Sequence, residues 1–130
     1  MNTRVLLVED DAALRRVFLR VLARAGIDAV GVNNGMCALA ALAAGTFAAV
    51  VSDISMPGLS GTELLHAIRS RDLDLPVILM TGLPTRETAN RARELGALDY
   101  LHKPVDLEHF CNVVRRAMQH GTRRLEAVSA

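Results

Sequence analysis

The chain has 130 residues, enough for one domain with a full core and too few for two. Its apolar fraction of 51% excludes intrinsic disorder, no apolar run approaches the roughly 20 residues of a bilayer span, and Met1-Asn2-Thr3-Arg4 is not a signal peptide. A formal net charge of +1 excludes a strongly basic nucleic-acid module. Cys37 and Cys111 are too few for a disulfide framework and lack metal-ligand spacing, so they are expected to be reduced core thiols of a cytoplasmic protein. Of the 15 basic residues, all but Lys103 are arginine.

Five aliphatic runs recur, each followed by a helical pattern: 4–8 (RVLLV), 29–32 (AVGV), 48–52 (AAVVS), 77–80 (VILM) and 98–102 (LDYLH). They lack polar alternation, as expected of strands covered on both faces of a parallel sheet. The first helical pattern, 11–25, puts Leu14, Val17, Phe18, Val21 and Leu22 on one stripe and Arg15, Arg16, Arg20 and Arg24 on the remaining surface. Gly26, Gly45 and Gly96 each follow a helical pattern, where a left-handed cap residue is wanted. Ser60-Gly61-Thr62-Glu63 reads as a capping box opening a third helix with Leu64, Leu65 and Ile68 in the core. The fourth helix, 85–95, turns only Ala89, Ala92 and Leu95 inward and is expected to be the most loosely held. Asp106 caps the fifth, whose buried side carries Leu107, Phe110, Val114 and Met118. Residues 1–121 are thus expected to form one α/β domain, a (βα)5 doubly wound five-stranded parallel sheet with right-handed crossovers. Residues 122–130 have no core pattern and read as a C-terminal tail or the start of a linker.

In an open α/β sheet, ligands bind outside the carboxyl ends of the strands. Those ends carry Glu9, Asp10 and Asp11; Asn33 and Asn34; Asp53; Thr81 and Gly82; and Lys103 and Pro104. Three carboxylates converging there would repel unless a cation shared them, and an oxygen-only ligand set suits Mg²⁺, with Mn²⁺ as its substitute. A lysine ammonium and a threonine hydroxyl opposite that metal are what a phosphoryl group requires. The pattern predicts phosphoryl transfer with a carboxylate as acceptor.

Four motifs now stand in order along the chain: Val5-Leu6-Leu7-Val8-Glu9-Asp10-Asp11, Val51-Ser52-Asp53-Ile54-Ser55-Met56-Pro57-Gly58-Leu59-Ser60-Gly61, Val77-Ile78-Leu79-Met80-Thr81-Gly82 and Gly96-Ala97-Leu98-Asp99-Tyr100-Leu101-His102-Lys103-Pro104. Together they resemble the receiver domain of bacterial two-component response regulators, from about Arg4 to about Met118. The resemblance implies a flavodoxin-like sheet of strand order 2-1-3-4-5. It implies that Asp53 accepts a phosphoryl group from a histidine kinase or a histidine phosphotransfer protein. Asp10, Asp53 and the backbone carbonyl of Ser55 would hold Mg²⁺, with Glu9 reaching it through water. Thr81 and Lys103 would bind phosphoryl oxygens. As Thr81 moves, Tyr100 would turn inward, shifting the fourth helix and fifth strand. Met56, Pro57 and Gly61 match the loop that follows the acceptor, and Pro104 is expected to be cis and to direct Lys103. The resemblance further implies an arginine-bearing first helix that docks the phosphodonor. Homodimerisation through the fourth helix, fifth strand and fifth helix is expected on phosphorylation, and the chain reads either as a stand-alone receiver or, from its charged tail, as one followed by a fused output domain beyond Ala130.

Some positions depart from the family's pattern. The first acidic residue is Glu9, one methylene longer than aspartate; Gly82 stands where alanine is frequent, and Leu83 and Ser55 occupy the positions that tune dephosphorylation. Leu83 cannot orient a water, so the phosphoryl group is expected to persist on Asp53. A haloacid dehalogenase-like phosphatase would want an aspartate where Ser55 stands, and nucleotide or flavin binding would want a glycine-rich loop where Asp10-Asp11 stands. A phosphorylation-independent scaffold would not need the complete acceptor set. The expected role is a switch rather than an enzyme turning over an external substrate. His66, His102, His109 and His120 do not cluster and read as surface residues. Arg115, Arg116, Arg123 and Arg124 form a basic stretch without an aromatic, which does not suit nucleic-acid recognition.

Overall fold

The five aliphatic runs and five helical patterns fold in strict alternation: β1 (Val5–Val8), α1 (Ala12–Arg24), β2 (Ala29–Val32), α2 (Gly35–Ala44), β3 (Ala49–Asp53), α3 (Gly61–Arg69), β4 (Val77–Thr81), α4 (Arg86–Glu94), β5 (Asp99–His102) and α5 (Leu107–Ser129). The computed structural model describes the backbone of residues 4–129 and the side chains of 4–123. Every strand pair is parallel, and the sheet order is β2-β1-β3-β4-β5, as expected.

Alternation along the buried strands splits the core in two. Val5, Leu7, Val51, Ile78, Met80 and Leu101 face α1 and α5, where Phe18 stacks on Phe110 with ring centroids 4.6 Å apart. Leu6, Val8, Val50, Val77 and Leu79 face the opposite layer, built from Ala38 of α2, Leu64, Leu65 and Ile68 of α3, and Ala92 of α4. Ala92 is the one fully buried residue of α4, and Ala89 and Leu95 are half-buried; this helix brings little apolar area to the core.

The helix ends follow local chemistry. Asp11 accepts hydrogen bonds from the amides of Ala13 and Leu14 to open α1, and Ser60 and Glu63 form the reciprocal capping box of α3. Asp106 accepts from the His109 amide at the start of α5. Gly26 (φ +77°) and Gly96 (φ +73°) close α1 and α4 in left-handed turns, with Ile27 bonded back to Leu22 and Ala97 back to Ala92. The Lys103–Pro104 peptide is cis.

Four expectations are corrected. Gly45 ends α2 in an extended conformation (φ −154°), so its cap is not left-handed; the nearest atom to a Cβ there would be the flexible tip of Arg4, at 2.9 Å. Val17 is 43% exposed because it sits at the margin of the α1 stripe, and half-buried Leu19 reaches the sheet instead, against Gly31 of β2. Leu107, in the first turn of α5, is also 39% exposed rather than buried. Cys37 is exposed on α2, whereas Cys111 is buried and burial pushes its thiol pKa up, with the Arg115 charge offsetting part of the rise. Readings that involve Met1–Thr3 or the side chains of residues 124–130, Arg124 among them, lie outside the described residues.

Helix α5 continues past Gly121 without a break, although residues 122–130 carry no core pattern. Gly121 is buried against the entrance to β3, and a Cβ there would fall inside contact distance of the Ala48 carbonyl oxygen. In Gly121→Ala the gain in helix propensity, ~1 kcal/mol, is outweighed because α5 must move off the sheet. The variant is expected to lose about 1–3 kcal/mol, read as a lower urea midpoint with an unchanged slope.

Candidate functional site

Strand register assembles the site. Val8 is aligned with Ser52, Asp53 with Met80, and Thr81 with His102, so Glu9, Asp53, Thr81 and Lys103 emerge side by side at the carboxyl edge. The β3–α3 loop is closed over this edge by the Gly61 amide, which donates to the Ile54 carbonyl at 2.9 Å. Gly61 is required by that approach, because a Cβ would collide with the Asp53 carbonyl oxygen.

Glu9 is completely buried and Asp53 is 6% exposed, while Asp10 is solvent-facing. Carboxylate oxygens of all three lie within 4.8 Å of one another, a grouping that could hold a metal ion. The Lys103 ammonium donates to Glu9 Oε1 at 2.7 Å and to Asp53 Oδ2 at 3.0 Å. Burial pulls the Lys103 pKa down, but its two carboxylate partners outweigh that and hold it above the ordinary value. For Glu9, burial dominates and raises the pKa; the Lys103 bond and the Asp11 amide at 3.2 Å offset only part of it, and the Asp53 charge adds to the rise. The two partners shift in the same direction because burial outweighs the bonds to Lys103 and the Asp11 amide at Glu9, whereas at Lys103 the two carboxylates outweigh burial. Within the pocket, three carboxylates face one ammonium and leave two negative charges uncompensated. That donor set fits a divalent cation with oxygen preference.

Thr81 is buried, and its hydroxyl accepts from the Leu83 amide at 3.0 Å. Gly82 and Leu83 are exposed, and Gly82 has nothing but the Lys103 Cβ near the position its own Cβ would take, at 4.0 Å. Ser55 is exposed and Met56 buried on the loop after β3; Pro57 is exposed. Thr81 and Tyr100 lie on the α2–α3–α4 side of the sheet by strand alternation, and Glu9, Asp53 and Lys103 lie on the α1–α5 side. Asn33 and Asn34 stand apart from the acidic group: Asn34 caps α2 through the Cys37 amide at 2.7 Å.

Three contacts were not foreseen. Arg15 reaches back from α1 to donate to the Glu9 carbonyl at 2.7 Å, a contact that neither the surface position nor the docking role expected of the α1 arginines contains. Arg69 bonds the carbonyls of Leu95 and Gly96 at the end of α4. Thr88 pairs with the Tyr100 hydroxyl at 2.8 Å; the Thr85-x-x-Thr88 spacing, a capping box with threonine in place of glutamate, was the available signal. A separate hollow of 240 Å³, lined by Leu39, Leu42, Phe47 and Leu75, opens at the amino ends of β3 and β4, away from the carboxylates.

Residues 5–115 match the profile of the response regulator receiver domain. The chain is 43% identical over 116 residues to the DNA-binding transcriptional regulator NtrC of Salmonella typhimurium, covering 89% of this chain and 25% of that protein. It is 42% identical over 116 residues to the response regulator protein FleR of Pseudomonas aeruginosa, covering 89% and 24%. It therefore spans about a quarter of the length of these curated relatives. Among solved structures, a response regulator receiver protein from Pseudomonas putida superposes with a TM-score of 0.85 at 31% identity, covering 89% of this chain and 98% of that one. The chemotaxis protein CheY4 of Vibrio cholerae gives 0.83 at 27% identity, covering 90% and 99%.

Removing the shared cation isolates a testable energy. Lys103→Met leaves Glu9 and Asp53 facing each other with no counter-charge. A loss of up to about 3 kcal/mol at neutral pH is expected in urea denaturation, below the value for a fully buried pair because the lysine is partly hydrated. The loss should shrink when the same change is made in a Glu9→Gln background.

Proposed function

The chain belongs to the response regulator receiver domain family and is a phosphorelay receiver of two-component signalling, and we propose that residues 1–121 are the switching unit, with Asp53 as the phosphoacceptor. The observation that carries the assignment is the Lys103 ammonium held on Asp53 and Glu9 beside Asp10, at the sheet edge where the Thr81 hydroxyl also emerges. In the transfer, an Asp53 carboxylate oxygen attacks phosphorus and the phosphorus–nitrogen bond of a phosphohistidine breaks. The imidazole leaves with the electron pair and takes up a proton, and an acyl phosphate remains on Asp53. The donor is a histidine kinase or a histidine phosphotransfer protein, docking on the α1 face.

Asp10, Asp53 and the Ser55 carbonyl would hold Mg²⁺, with Glu9 in the outer shell. When bound, the ion would neutralise charge on the transferring group. The chain's own residues do the rest. Lys103 exchanges its carboxylate partner for a phosphoryl oxygen, and Thr81 gives up the Leu83 amide and donates its hydroxyl to another. Tyr100 follows into the space Thr81 leaves, on the same side of the sheet as α4. The chain acts as an acceptor and switch without turnover of an external substrate, in a cytoplasmic setting; no described helix is long and apolar enough to cross a membrane. Homodimerisation through α4, β5 and α5 and a fused output domain after the 122–130 segment complete the reading.

Beryllofluoride or acetyl phosphate is expected to give an adduct that requires Mg²⁺ and is abolished by Asp53→Asn, read by fluorine NMR or intact mass. Repeated turnover of a phosphomonoester would favour a phosphatase instead, and no adduct would leave a scaffold. Leu83 is 79% exposed and offers no hydrogen-bonding side chain to a water. Leu83→Glu is therefore expected to shorten the phospho-Asp53 half-life several-fold in an acid-quench time course.

A further inference from the structure

Helix α4 is held in very different ways at its two ends. At the carboxyl end, Arg69 donates through Nε to the Leu95 carbonyl at 2.8 Å and through Nη2 to Gly96 at 3.0 Å. Its Nη1 donates to Leu75 at 2.7 Å and Asp72 at 3.2 Å, tying the same guanidinium to the loop before β4. A planar fork bonded on several edges resists displacement. Between the ends, Ala92 is the fully buried contact.

At the amino end, a cluster of three hydroxyls takes over. Thr85 caps the helix by accepting from the Thr88 amide at 3.0 Å. Thr88 Oγ1 lies 3.3 Å from the Thr85 amide, 2.9 Å from Thr85 Oγ1, 3.2 Å from the Thr85 carbonyl and 2.8 Å from the Tyr100 hydroxyl. Proton counting orders these contacts. The Thr88 hydroxyl has one proton, and the Thr85 carbonyl and Thr85 Oγ1 both offer it an acceptor. Its lone pairs take the Thr85 amide, and the Tyr100 hydroxyl completes the set as either donor or acceptor. The phenol of β5 is in this way a member of the α4 cap, and its ring meets His102 edge-on at 5.8 Å.

We propose that Thr88 is a positioning residue, a latch that holds Tyr100 in its resting orientation, and that when the latch opens α4 loosens at its amino end and pivots on Arg69. This rests on the reading of Asp53 and Thr81 given above, because departure of Thr81 toward a phosphoryl group is what draws Tyr100 away. Turning Tyr100 removes one hydrogen-bond partner from the cap, and the weakly buried first turn of α4 loosens while Arg69 keeps the last turn in place. A signal at the carboxylates is thereby converted into a tilt of one helix.

Tyr100 is the single tyrosine and the chain has no tryptophan, so intrinsic emission reports this ring alone. Without any phosphoryl donor, Thr88→Val should shift Tyr100 emission away from the wild-type value, and Thr88→Ser should restore it. Tyr100→Phe, which leaves the threonine pair intact, should speed exchange of the Thr88 and Ala89 amides by about 3- to 10-fold, as expected for loss of one partly exposed hydrogen bond. Arg69→Leu should instead speed exchange at Gly96 and Ala97. Unchanged emission in Thr88→Val, or unchanged Thr88 and Ala89 exchange in Tyr100→Phe, overturns the latch. The acceptor reading fails separately: it would show as a wild-type protein that forms no Mg²⁺-dependent adduct, whereas a normal wild-type adduct beside an inert Thr88→Val removes the latch alone.

Discussion

The rest of the site depends on how one ammonium is shared between two buried carboxylates. Parallel register brings Glu9 and Asp53 to adjacent strand ends, and neither can be ionised there at low cost without a cation. Lys103 meets both, and each of its bonds weakens the electrostatic objection to the other carboxylate. The arrangement remains short of positive charge, because Asp10 stands within reach of the same oxygens. A site with an unbalanced, preorganised cluster of this kind is suited to a divalent ion and to an incoming phosphoryl group, and gains little from being left alone. A wider guanidinium would bridge the two carboxylates as a rigid fork and would lack the freedom of a compact ammonium on a flexible stem to change partners.

That local electrostatic problem is linked to shape through the two faces of the sheet. Glu9, Asp53 and Lys103 lie on the α1–α5 side, while Thr81 and Tyr100 lie on the side of α4. Strand alternation is the reason: a change of one residue along a strand changes the face. Thr81 stands at the boundary, close to the carboxylates through the strand edge and close to α4 through its face. A movement of Thr81 is felt on both sides without either core layer being repacked. The helix on the receiving side is the one with least apolar burial, held at one end by Arg69 and at the other by a hydroxyl cluster.

Much of the site was legible because its residue types are demanding. A lone lysine, three carboxylates and a threonine, each at the end of an aliphatic run, have few joint explanations. The β3–α3 capping box was legible for a similar reason, since Ser60 and Glu63 satisfy each other within four residues. What was misread shares a different origin. Val17 and Leu107 are apolar and lie at the margins of their helical stripes, where periodicity alone does not distinguish a core position from a solvent-facing one. Gly45 was taken for a left-handed cap on its position after a helix, yet the chain leaves α2 there in an extended conformation, which position in sequence does not reveal. Cys37 lies on the outer side of α2, where composition says nothing of exposure.

The amino-acid sequence by itself determined the alternation of strands and helices, the helix caps and the set of groups that could carry phosphoryl chemistry. These depend on periodicity, on side-chain chemistry and on bonds closed within a few residues. Only the tertiary structure decided that Lys103 spans Glu9 and Asp53, that Arg15 reaches the Glu9 carbonyl, that Gly121 lies against Ala48, and that Thr88 meets Tyr100. Each of those contacts joins segments set beside one another by sheet order and register. The lysine conspicuous in a chain of arginines was visible from the start, but its two partners were chosen by which strands lie next to which.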